Sequence, residues 1–223
     1  MTRQKFLEIS KNLSKNLSNL PEHWDARKAI LEMKETHFPQ WKQMEWIGFY
    51  FQYLCEKNLS SIMEIPGLKY DKVKFDGFNI IPWDFKAHAM NTSSHKIIVN
   101  DSRAISRGIK DYGAVGLILA VGNVLYNDEQ RTFQKWHDNL KGGKSKYELE
   151  RIKRCAWSRL RKIKFNLRQI SFIKITDKTL MKCGSFQTDF RNSNAKPRKE
   201  KISLDLEKID EELVYYIEFP LKK

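Results

Sequence analysis

The sequence predicts a mixed α/β (α+β) fold, a central mixed β-sheet flanked by helices, within one domain spanning 1–223. Three observations predict it. Within an N-terminal helical part, 1–65, apolar residues recur at helical spacing over 24–36 and 40–57. The period then shortens to strict alternation over 80–89, and a continuous apolar run, AVGLILAVGNVLY, fills 114–126. Helices and strands then continue in turn through a sheet core, 66–223, as expected when one sheet is covered by helices.

Element by element, the first twenty residues repeat Leu, Ser, Asn and Lys and read as a helical arm or a frayed terminus. Residues 24–36 read as a helix with Ala29, Ile30 and Met33 inward, and Pro39 suits a first helical turn ahead of an aromatic-rich helix over 40–57. Pro66-Gly67 breaks the chain, 69–76 reads as a strand, and Gly77-Phe78-Asn79 as its turn. In the strand 80–89, Ile81, Trp83, Phe85 and Ala87 share one face, and Pro82, Asp84, Lys86 and His88 the other. A polar loop, a helix over 101–112, the strand 114–126 and a helix from Asp128 to Leu140 follow. A second helix is expected from Ser145 to about Asn166, then strands at 170–176, 202–208 and 213–219, with a basic loop at 188–201.

Composition narrows the function. Lys and Arg number 41 against 27 acidic residues, a net charge of +14, while hydrophobic residues make up 41%, too many for a disordered polyelectrolyte. Three dispersed cysteines (Cys55, Cys155, Cys183) exclude a disulfide framework and a Cys-rich zinc module and predict a reducing compartment. No apolar run reaches a membrane span, and the first residues lack a signal-peptide core. The expectation is a cytoplasmic protein with no membrane partner, whose charge is directed at a polyanion, nucleic acid foremost.

One constellation carries chemistry. An acidic residue two before a lysine occurs at Glu32/Lys34 and at Asp84/Lys86. The first pair falls in a helical pattern, where such positions diverge; the second falls in a strand, where they share a face about 7 Å apart. Asp76 lies eight residues upstream, and a hairpin returns it toward Asp84. Two carboxylates supply the hard oxygens that Mg²⁺ requires, and a neighbouring ammonium can orient water or stabilise developing negative charge. Serines lack a nucleophile-elbow setting and there is no Gly-rich phosphate loop, so no nucleotide cofactor is expected.

Phe75-Asp76-Gly77 followed by Pro82-Trp83-Asp84-Phe85-Lys86 resembles the PD-(D/E)xK nuclease superfamily, most closely type II restriction endonucleases, with Phe75 where the family has proline. Chain length and Asn/Lys/Ile usage are similar to those of rare-cutting enzymes of this type. The resemblance implies a restriction-endonuclease-like sheet, Asp76 and Asp84 as metal ligands, Lys86 as the catalytic lysine, and a homodimer on a two-fold symmetric duplex site. It also implies a glutamate from the preceding helix, for which Glu45 and Glu56 are both candidates. His88 shares the Asp84/Lys86 face and either contacts a phosphate or leaving-group water or merely caps the strand.

Basic segments supply candidate DNA contacts. The run Arg151–Arg168 holds eight cations and no acid, with Arg154, Arg161 and Lys164 expected on one helical face. Lys141, Lys144 and Lys146 surround two glycines, Arg103 and Arg107 extend the cleft with Lys110, and Asn91 heads an Asn-Thr-Ser-Ser stretch suited to reading base edges. The expected function is Mg²⁺-dependent, sequence-specific cleavage of double-stranded DNA. The alternatives are a structure-selective repair, junction or RNA nuclease, and a non-catalytic nucleic-acid-binding module with a structural Asp84–Lys86 pair.

Overall fold

A computed structural model describes residues 1–127, 129–156, 160–187 and 200–220. The N-terminus is a packed helix, α1 (Arg3–Leu17): the Thr2 hydroxyl caps it by accepting the Lys5 N–H, and Phe6, Ile9, Leu13 and Leu17 form its buried stripe. A short strand, β1 (His23–Asp25), leads into α2 (Ala26–Glu35), where Asp25 Oδ1 accepts the Arg27 and Lys28 N–H groups and Ala29, Ile30 and Met33 point inward as expected. Pro39 opens only a 3-10 turn, Pro39–Lys42, and α3 begins later (Trp46–Leu59). It is buried on most sides through Trp46, Tyr50, Phe51, Tyr53 and Leu54.

The next segment departs from expectation. Residues 69–76 form two short strands, β2 (Lys69–Tyr70) and β3 (Val73–Lys74), turning at Asp71. Gly77–Asn79 is itself a strand, β4, and the chain turns one residue later at Ile80 (φ 63°) to enter β5 (Ile81–Ala89). The expected polar loop contains β6 (Lys96–Asp101), with Ile97 and Val99 inward, before α4 (Ser102–Tyr112) and β7 (Val115–Tyr126). After β7 come α5 (Thr132–Leu140) and α6 (Lys146–Lys153).

The expected helix from Ser145 to Asn166 stops at Lys153, and β8 (Lys162–Ile175) begins instead. Ile163, Phe165 and Leu167 alternate with Lys162, Lys164, Asn166 and Arg168, and Phe165 and Leu167 are buried while Lys164 and Arg168 are exposed. Period-two packing decides the segment, so its cations do not share one helical face. The chain ends with α7 (Asp177–Cys183), β9 (Gly184–Gln187), β10 (Lys201–Asp205) and β11 (Val214–Glu218). Most of the expected basic loop at 188–201, including Arg191, lies outside the described residues.

The main sheet runs β1-β8-β7-β5-β4, with β11 also paired to β8; β5 and β7 are parallel and the remaining pairs antiparallel. It is therefore the mixed central sheet flanked by helices that the sequence predicts. One face is covered by α1, α2 and α3 through Phe6, Leu13, Ile30, Phe51, Trp83 and Phe85. The other carries Leu117, Leu119 and Ile173 beneath α4 and a second sheet, β6-β10-β9. Trp83 is fully buried and stacks on Phe6, which is possible because Gly116 sits opposite it in register; a Cβ at 116 would overlap the indole. Among the described residues no helix is long and apolar enough to cross a membrane.

Candidate active site

Strand β4 pairs with β5 only along Ile81–Trp83, and the outer edge of β5 is then left to a cleft of about 760 Å³. The cleft is walled by the start of α3 (Glu45, Ile47, Phe49, Gln52) on one side and by Ile98, Val99 and Asn100 of β6 on the other. Asp76, Asp84 and Lys86 all line it. Beyond the Gly77–Trp83 pair, just before β4 begins, the Asp76 side chain takes over from the missing strand: its Oδ2 accepts the Phe85 N–H at 2.7 Å. Its neighbour Gly77 lets the chain lie against Gly67 and Met63, since a Cβ at either glycine would overlap the opposing atoms.

The two carboxylates meet one ammonium. Lys86 Nζ lies 3.7 Å from Asp76 Oδ2 and 3.8 Å from Asp84 Oδ2. Asp84 is 1% exposed, and its Oδ2 has no hydrogen-bond partner, whereas Oδ1 accepts from Asn100 Nδ2 at 3.3 Å. That amide also donates to the Lys74 carbonyl at 3.1 Å, and Asn100 Oδ1 accepts the Asp101 N–H, so the side chain is tied on three sides. Burial pushes the Asp84 carboxyl up to about 6; the Lys86 ammonium pulls against this and the Asp76 charge adds to it. Burial alone would pull the Lys86 ammonium down, but Asp84 and Asp76 outweigh it and its pKa stands above the usual lysine value.

The sheet thus brings together the three residues first singled out. Neither candidate glutamate completes a larger cluster: among the described residues no three His, Cys, Asp or Glu side chains gather to hold a metal. Glu45 sits at the cleft mouth, 71% exposed at its side chain, paired with Arg161 at 3.2 Å and Lys162 at 3.9 Å. Glu56 lies deeper on α3; burial raises its carboxyl, the Gln52 hydrogen bond opposes this, and the Asp76 charge adds to the rise. His88 faces His95 (Nε2 to Nδ1, 3.4 Å), and burial, then His95 and Lys162, lowers its pKa, which keeps it neutral near pH 7.

The expected DNA contacts divide. Asn91 is spent on structure: its Nδ2 donates to the Val124 carbonyl and its Oδ1 accepts the Val124 N–H, both at 2.9 Å, so it is not a free reader of base edges. Lys141 and Lys144 pair with Asp138, Arg107 with Asp71, and Arg154 donates to the Glu150 carbonyl. With Arg103 and Lys146, they do not line the cleft, and exposed Lys164 is also absent from its walls. Arg161 reaches its mouth only through Glu45. Asn100 and Lys162 are among the cleft residues that the sequence reading did not place at the site. Asn100 lies in a segment read as loop, although the inward alternation of Ile97 and Val99 was a signal for a strand there. Lys162 was hidden in the supposed helix.

A larger concavity, about 850 Å³, opens on the sheet face beside β11 and shares only His88 with the cleft. Its floor is Leu119, Val121 and Ile173 and it has no carboxylate–lysine grouping, so volume and chemistry point to different places and the chemistry decides. Compared with family models, with curated proteins and with solved structures, the chain matches none.

Proposed function

We propose that this chain is a Mg²⁺-dependent endonuclease of the restriction type, hydrolysing phosphodiester bonds of double-stranded DNA at a specific sequence. The observation that supports it is the grouping of Asp76, Asp84 and Lys86 on the open edge of β5, with one Asp84 oxygen buried and without a hydrogen bond. A buried carboxylate with one oxygen lacking a hydrogen bond and only a 3.8 Å ion pair to Lys86 is costly as pure structure, and a hard divalent cation suits such an oxygen pair. Asp76 Oδ2 and Asp84 Oδ2 would hold the ion, which when bound supplies an acidified water and offsets charge on the phosphate.

The protein's own groups do the rest. Asn100 fixes Asp84 through Oδ1 and leaves Oδ2 free of hydrogen bonds, facing Lys86. Lys86, held protonated between the carboxylates, balances their charge and is positioned to orient a water for in-line attack or to stabilise a phosphate oxygen. The net charge of +14 raises the local concentration of DNA. The resemblance to type II restriction endonucleases implies a homodimer, with one cleft for each strand of a two-fold symmetric site.

The test is incubation with large unmethylated DNA in Mg²⁺ and in EDTA, beside Asp84→Ala and Lys86→Ala. Discrete Mg²⁺-dependent fragments, lost in both variants while Lys86→Ala still binds DNA, are expected. A smear would replace the sequence-specific reading by a structure-selective or nonspecific nuclease. Binding without cleavage across DNA containing every octamer would leave a binding module.

A further inference from the structure

The cleft does not end at the carboxylates. Toward the C-terminal end of β5 it joins a compartment of about 300 Å³, with which it shares Glu45, Ala87, His88, Ala89 and Lys162. We propose that this compartment is a phosphodiester-binding subsite that holds the DNA strand a few nucleotides from the bond that is cut; it rests on the nuclease reading and specifies how the substrate backbone is gripped.

Backbone geometry supplies the first donors. The Phe85 N–H points outward to Asp76, whereas the Met90 N–H points inward to the Gly122 carbonyl. Alternation along a strand therefore aims the N–H groups of Ala87 and Ala89 outward as well, along the edge that β4 leaves open. Side chains supply the rest. Lys162 and Lys96 line the compartment with the Thr92 and Ser94 hydroxyls. Lys96 makes no ion pair among the described residues, and Lys162 has only a 3.9 Å pairing with the exposed Glu45 carboxylate, which a phosphate can displace.

The rim is built in advance. The two hydrogen bonds between Asn91 and Val124 fasten it to β7, and Thr92 Oγ1 accepts the Ser94 N–H at 3.4 Å. Tyr126 forms part of the wall beside these donors, where its ring can pack against a sugar or base. His88 lies about 13 Å along the strand from Asp84, roughly four steps of the 3.4 Å axial rise of one DNA strand. Neutral backbone and hydroxyl donors between two ammoniums suit a singly charged phosphodiester.

The experiment measures binding of a fluorescent 30-bp mixed-sequence duplex in EDTA against salt concentration. It compares wild type, Lys96→Ala/Lys162→Ala, and a charge-matched control on α1, Lys11→Ala/Lys15→Ala. Losing two phosphate contacts makes the negative slope of log K against log salt shallower by about 1.8, while the control keeps the wild-type slope. On a second duplex carrying the sequence at which wild type cuts, which fixes the register, methylphosphonate placed at successive phosphates should weaken wild type several-fold at one position and leave the cleft variant unaffected there. Equal slopes in all three proteins, or an equal fall in the control, would overturn the subsite while Mg²⁺-dependent cleavage by wild type left the nuclease reading standing. Failure of wild type to bind any duplex would overturn both.

Discussion

Replacing Asp84 by Asn removes a charge the fold holds at a cost, so the variant should be inactive and more stable. The carboxyl is 1% exposed and burial raises its pKa from an ordinary 3.8 to about 6. The folded protein therefore keeps this proton to higher pH than the unfolded chain does. As pH rises from about 4 to about 6 the unfolded state ionises first, and wild-type stability falls across that window and stays reduced above it. At about 1.4 kcal/mol per unit, the cost of the ionised group at pH 8 has a ceiling of about 3 kcal/mol. Asn keeps the Oδ1 bond from Asn100 but gives its new amide no acceptor, which at a cost of about 1–2 kcal/mol reduces the gain to about 1–2 kcal/mol. For a chain of this size that corresponds to about 2–8 °C in Tm. Thermal denaturation of both proteins in EDTA from pH 4 to pH 8 should give curves that nearly coincide at pH 4 and separate above pH 6, the Asp84→Asn variant being the more stable. Millimolar Mg²⁺ should then raise the wild-type Tm at pH 8 and leave the variant unmoved. An Asp84→Asn protein as stable as wild type, or less so, at pH 8 would refute the argument that the site stores electrostatic strain.

Further outcomes follow from the same geometry. Asn100→Ala should raise the Mg²⁺ concentration required for half-maximal cleavage by about 10–100-fold, with much of the rate restored at saturating metal, because the amide only positions Asp84; a Mg²⁺ titration reads this. Lys86→Ala should lower the single-turnover cleavage rate by about two to four orders of magnitude while the duplex Kd stays within a few-fold. Gly116→Val should destabilise by more than about 3 kcal/mol, seen in urea unfolding, because its side chain must occupy the Trp83 ring's position.

What could be read in the sequence was what local period controls. Strand β5 was legible because Trp83 and Phe85 alternate with Asp84 and Lys86, and β7 because both its faces are buried. The period of β8 was equally present from Lys162 onward, but Cys155, Ala156, Leu160 and Ile163 fall near helical spacing and drew the boundary past Arg161. The Asp76–Asp84–Lys86 grouping was legible because a single hairpin forms it. The environment of Asp84 was not, since Asn100 arrives from β6, whose pairing with β10 brings together segments about a hundred residues apart. Likewise Asn91 looked available until its partner Val124 was in place on β7.

The way Asp76 closes the exposed flank of β5 has a consequence for how inactive forms of this protein should be made. Its carboxylate both faces Lys86 and satisfies the Phe85 N–H that no neighbouring strand reaches. Alanine at 76 would strip an electrostatic partner and at the same time strand a main-chain donor on a sheet margin, inviting that margin to recruit another chain. A loss of activity in such a variant would mix chemistry with self-association. Lys86, whose side chain is one-third exposed and donates to no main-chain group, disarms the protein without opening the sheet margin, and at low pH, where Asp84 takes up a proton, its loss leaves no unpaired buried charge.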